Sequence, residues 1–113
     1  MSHHDPMIVL RHLADRATQA TRLLGDAARE DFAADRMQAL ALSHLVVLVG
    51  VAAGDVPERI RSEIAGLPWH LLIGMGEHAA HDYDTVNLDA VCDVIRGSFP
   101  LAIRQMTDYL SSQ

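Results

Sequence analysis

Between Trp69 and Asp84 the chain reads Trp-His-Leu-Leu-Ile-Gly-Met-Gly-Glu-His-Ala-Ala-His-Asp-Tyr-Asp, which gathers His70, Glu77, His78, His81, Asp82 and Asp84 into one short stretch. On a helix, Glu77 and His81 are four apart and share a face, as do His78 and Asp82, while His78 and His81 are three apart. An imidazole and a carboxylate so placed could work as an acid–base pair or as two ligands of a metal ion. The His-Glu-x-x-His order of zinc proteases is absent. The one cysteine, Cys92, excludes both a disulfide framework and a cysteine-based zinc site. The plain alternative is a solvated polar helix end running into a turn. His44, inside an apolar segment, reads as a hydrogen-bonded core histidine, and Trp69 as a core anchor. His3 and His4 lie in a terminus expected to fray.

Charge divides the chain unevenly. Its basic residues are nine arginines with no lysine, set against fifteen acids, for a net charge of −6. From Ser62 to Ile95 there is no arginine, while Glu63, Glu77, Asp82, Asp84, Asp89 and Asp93 supply the whole −6. A surface built from that third alone would repel phosphate. RNA binding is therefore expected to be weak unless arginines come from elsewhere or from a second subunit, and no DNA partner is expected.

The elements that must position these residues read as helices. Asp5-Pro6 forms an N-cap and first-turn proline. Leu10, Leu13, Ala17, Ala20 and Leu24 then make an apolar stripe that ends at Gly25. A polar connector with a short helical turn covers Asp26–Asp35. A second long helix runs from about Arg36 to Gly54. Being apolar nearly all round from Leu45 to Ala53, it should be the central helix of a bundle or lie at a subunit interface. Pro57–Ala65 is a short helix and Trp69 to about Ala80 the motif helix. Asp82–Asn87 is a loop, and Asn87 or Asp89 caps a last helix with a break at Gly97-Ser-Phe-Pro100. The fold class is all-α, a four-to-five-helix bundle, in one domain spanning 1–113.

Half of the residues are apolar and only five are aromatic, so the core must be mostly Leu, Val, Ile and Ala. The start shows no basic region followed by an apolar stretch, and Ala39–Ala53 falls short of the roughly 18–20 residues of a membrane span. A cytoplasmic protein with no membrane contact is expected. The apolar segment Leu45–Ala53 further predicts a two-fold homodimer.

The stretch Leu67-Pro-Trp-His-Leu-Leu-Ile-Gly-Met-Gly-Glu-His-Ala-Ala-His-Asp-Tyr83 resembles the HepT-like branch of the HEPN superfamily. Its pattern runs Pro-Trp, Ile-x-Gly-Met, Arg-Asn, three variable residues, His, one variable residue, Tyr. Asp5-Pro6, Phe32-Ala-Ala-Asp-Arg36 and Leu48-Val-Gly-Val-Ala52 resemble the family's opening, second-helix entry and central segment. The resemblance implies a toxin of a toxin–antitoxin module, partnered by an MNT-type nucleotidyltransferase antitoxin. It also implies a metal-independent, cofactor-free endoribonuclease acting as a dimer, with the Arg-x4-6-His motifs of two subunits in one cleft. By position His81 matches the catalytic histidine, acting on the 2′-hydroxyl or the leaving group, and Tyr83 the tyrosine that the nucleotidyltransferase can modify with AMP.

The pattern breaks at the arginine. Gly76 stands in its place, Glu77 stands for the asparagine, and His78 follows. A carboxylate there opposes phosphate, so cleavage is expected to be weakened, and Gly76→Arg with Glu77→Asn to raise it. Polar family positions of the central helix have likewise become Val47 and Val51. The alternative is a non-catalytic binding module whose acidic, histidine-bearing cleft holds a metal, a nucleotide or a protein. Less favoured is an arginine-independent nuclease with His81 as base.

Overall fold

The computed structural model describes residues 5–27, 31, 34–81 and 88–113, with Ala80 and His81 described by their backbone alone. It is an all-α bundle. Six helices are formed among the described residues: α1 (Pro6–Leu24), α2 (Arg36–Gly54), α3 (Glu58–Glu63), α4 (Trp69–His81), α5 (Leu88–Gly97) and α6 (Phe99–Ser111). The helix count exceeds the four to five expected because the break at 97–100 is complete. Ser98 alone separates α5 from α6, without a side-chain cap hydrogen bond, and Pro100 in the first turn of α6 lacks the N–H that would have joined it to α5.

Helix α1 starts where Asp5 Oδ1 accepts from Met7 N at 2.9 Å, and its expected stripe Leu10–Leu13–Ala17–Ala20–Leu24 is buried throughout. Asp35 caps α2 in the same way, accepting from Gln38 N at 3.1 Å. Helix α2 packs between α1 on one side and α4 on the other, and α6 closes over α1 with Phe99, Ala102 and Met106. Leu42, Val46, Val49 and Ala53 form the inner face of α2 and complete the core. Cys92 is buried in the same core.

Only half of α2 is enclosed. Val51 is 58 % and Met37 82 % exposed, and His44 is exposed as well, not the core histidine that its apolar neighbours suggested. An apolar run with no polar face carries no information on which side is covered, so His44 and Ser43 could not be told apart. Ser43 is the buried one, its hydroxyl donating to Ala39 O at 3.0 Å. The helix Arg36–Gly54 is also long and apolar enough to cross a membrane by length and composition, contrary to the shorter span read from Ala39–Ala53. Its inner face is committed to the bundle.

The turn from α2 to α4 is fixed by two side chains. Arg61 donates from Nε to Val56 O and from Nη2 to Gly54 O, both at 2.9 Å, satisfying carbonyls that the end of α2 leaves open. Trp69 is 7 % exposed, and its Nε1–H is shared between Arg61 O at 3.2 Å and Ile64 O at 3.1 Å. It is the core anchor expected, with its one polar atom paired. Together these contacts set where α4 begins and hence where the motif lies against α2.

Candidate functional site at the crossing of α2 and α4

The motif helix crosses α2 at two glycines. A Cβ on Gly76 would sit 2.7 Å from Gly50 Cα and 3.3 Å from Val46 O. A Cβ on Gly50 would sit 2.7 Å from Gly76 Cα and 2.9 Å from Leu72 O. The backbones meet with no room for side chains between them. Position 76 is buried and points at α2, whereas Glu77 and His78 are exposed. With the helices as they stand, an arginine at position 76 requires α2 and α4 to part.

Beside the crossing runs a groove of about 330 Å³. Its floor is Gly50, Gly54 and Gly76, its walls Val47, Val51 and Ile73, and its charged residues are Glu77 and Asp55. Both are acids. On the other flank of Val51, His12 and Arg16 of α1 line a second groove with Ile8 and Leu48. Val51 and Asp55 border both grooves, so Arg16 lies across the α2 ridge from Glu77.

The remaining candidates divide. His81 closes α4, one helical turn past Glu77. Its side chain, and Asp82, Tyr83, Asp84 and the candidate cap Asn87, lie outside the described residues. Among the described residues no three His, Cys, Asp or Glu side chains gather closely enough to hold a metal ion. His70 belongs to a different surface, near Pro68, Leu71 and Glu58.

The chain's other tyrosine is engaged. Tyr109 donates its hydroxyl to Glu63, and that hydrogen bond, with a smaller contribution from desolvation, raises the phenol above its ordinary pKa of 10.0.

A close glycine crossing was the functional feature that the sequence reading missed. Its signal was present: glycine is disfavoured inside helices, so Gly50 and Gly76 in strongly apolar helices point to a close backbone approach.

The described residues form an all-α bundle in which the helix ending at His81 crosses the central one. The model of the family described as ribonuclease HepT-like matches residues 13–108, and the chain belongs to that family. A protein of Caldanaerobacter subterraneus subsp. tengcongensis, named "Putative RNase TTE0752", is 25 % identical over 84 residues, covering 74 % of this chain and 75 % of that protein. No solved structure matches the chain.

Proposed function

We propose that this protein is the toxin-family member of a toxin–antitoxin pair: a cytoplasmic two-fold dimer, derived from a metal-independent endoribonuclease and paired with an MNT-type nucleotidyltransferase. In this reading His81 retains the acid–base role towards the 2′-hydroxyl or leaving oxygen, and the cation that would stabilise the phosphorane is missing. The observation that carries it is the Gly50–Gly76 contact, which leaves no space for the motif arginine, while Glu77 and Asp55 make the adjoining groove acidic. Losing one such contact lowers a rate by on the order of 10²–10³.

Tyr83, two residues after His81, is the proposed site of AMP attachment: its phenol oxygen attacks the α-phosphorus of ATP and pyrophosphate leaves. Its place two residues after His81, where the family's modifiable tyrosine stands, favours this assignment over Tyr109. An added phosphate would increase the negative charge of a region that already repels RNA.

The test compares cleavage of single-stranded RNA by the wild type, by His81→Ala and by an arginine-bearing relative, and incubates the protein with the nucleotidyltransferase and ATP. Wild-type cleavage at least 10²-fold below the relative, with AMP on Tyr83 by peptide mass spectrometry, is expected. Robust wild-type cleavage abolished in His81→Ala would overturn the weakened-nuclease reading. No cleavage together with no adduct leaves the non-catalytic binding module as the better account, which the acidic groove favours.

A further inference from the structure

Helix α2 offers an apolar seam with coiled-coil spacing on the side that the bundle leaves open. Met37, Leu40, His44, Val47, Val51 and Gly54 follow one another at steps of three, four, three, four and three. All six face outward: Met37 is 82 %, Val51 58 % and Leu40 41 % exposed, His44 and Gly54 are exposed, and Val47 is half-buried. Such a narrow 3.5-residue stripe matches a second helix lying along the first at a shallow angle. Towards its C-terminal end the stripe borders the groove that α4 closes, where Val47, Val51 and Gly54 are walls and floor.

The residue sizes select the direction of the occupant. The large end is Met37 and the empty end is Gly54, over which a Cβ would meet nothing within 4 Å. Antiparallel pairing of two copies sets Met37 on Gly54, Leu40 on Val51 and His44 on Val47, each twice, as a two-fold axis requires. Parallel pairing would set Met37 on Met37, leave Gly54 facing Gly54, and press two imidazoles together at position 44.

Charge agrees with the antiparallel choice. Glu77 and Val47 border the same groove, so a partner's His44 seated at Val47 arrives beside the carboxylate that occupies the motif's asparagine position. We propose that a second copy of this chain docks antiparallel along this seam, each Met37 filling the space over the partner's Gly54 and each His44 meeting the partner's Glu77. The inference rests on the dimer proposed above and specifies its register. It gives the exposed His44 a function: each copy supplies an imidazole to the acidic groove beside the other's motif. An imidazole and a carboxylate brought together across an interface steer the pairing as well as strengthening it.

Two experiments test it independently of nuclease activity. Gly54→Leu adds a side chain into open space, so the monomer should fold normally, yet it collides with the partner's Met37. Sedimentation equilibrium should show dimerisation weakened by at least about tenfold, and Gly54→Leu with Met37→Ala in one chain should recover most of it. In the second experiment Leu40→Cys and Val51→Cys proteins are oxidised separately and then mixed. A disulfide-linked pair should form only in the mixture, with the wild type, whose Cys92 is buried, as control. A wild type that sediments as a monomer at micromolar concentration overturns the dimer and this register together. A dimer that tolerates Gly54→Leu, or that cross-links Leu40→Cys to itself, overturns the register and leaves the dimer standing.

Discussion

Helix α2 makes two crossings of opposite character. Against α1 it packs by side chains: Leu10, Leu13, Ala17 and Ala20 face Leu42, Val46, Val49 and Ala53, all fully or nearly fully buried. Against α4 it packs by backbone, with Gly50 and Gly76 removing the side chains that would hold the helices apart. A side-chain crossing absorbs change by repacking, because rotamers can shift and small gaps can be filled. At the glycine contact itself there are no side chains to repack. In the proposed reading it is also where the family's arginine would stand, so that the glycine at 76 and the close approach of the helices go together.

The largest effect is expected from Gly76→Arg. Its Cβ alone would lie 2.7 Å from Gly50 Cα, so α4 must move or lose its seat on α2. We expect a loss of more than about 3 kcal/mol in urea unfolding and no gain in RNA cleavage. Stable folding with restored cleavage would show that the crossing opens easily and would remove the distinction drawn between the two sides of α2.

The side-chain crossing is sharpened by Leu13→Met. Leu13 is fully buried, and methionine nearly conserves its volume, so the cost should stay below about 1.5 kcal/mol in the same experiment. A cost matching that of Gly76→Arg would mean that the α1 side is no more adaptable than the α4 side.

Gly74, two residues before Gly76 on the same helix, isolates sterics from helix propensity. A Cβ at Gly74 meets nothing within 4 Å, and the residue is exposed. Gly74→Ala should therefore stabilise the protein by about 0.5–1 kcal/mol, the ordinary benefit of removing a helical glycine. Gly76→Ala receives the same benefit and should still destabilise. Equal signs for the two, read by thermal or urea unfolding, would contradict the close crossing.

Much of this architecture was legible in the residues. Asp5-Pro6 and Gly25 bracket α1 because capping and helix-breaking are local chemistry, and the span of α2 from Arg36 to Gly54 follows from where its apolar run begins and ends. Membership of the HepT-like family was legible in the stretch from Leu67 to Tyr83. Distances between helices were not, since periodicity reports faces and not separations, and so the Gly50–Gly76 contact emerged only in three dimensions. His44 was misread for a related reason: where every neighbour is apolar, sequence cannot say which neighbours are covered. The split of the last helix at Ser98 was foreshadowed by Pro100, but proline permits either a kink or a full stop.

The smallest effect concerns Tyr109 on α6, remote from both crossings in function. Its hydroxyl donates to Glu63 at the end of α3, and that hydrogen bond raises the phenol above 10.0. An acid whose folded pKa exceeds its unfolded value adds stability that is fully present below the unfolded pKa and disappears as pH rises through the folded one. The contribution is therefore intact at neutral pH and fades only above about pH 10. Spectrophotometric titration of the Tyr83→Phe protein, in which Tyr109 is the remaining tyrosine, should place its midpoint above 10.0, and Glu63→Gln should move it back towards 10.0. The same substitution removes the carboxylate that accepts from the Tyr109 hydroxyl. Should AMP then appear on Tyr109 when the nucleotidyltransferase is supplied, selectivity between the two tyrosines would depend on this hydrogen bond. Should it remain on Tyr83 alone, position two residues after His81 would be the deciding factor. An unshifted Tyr109 in the wild type would show that the hydrogen bond to Glu63 does not hold in solution.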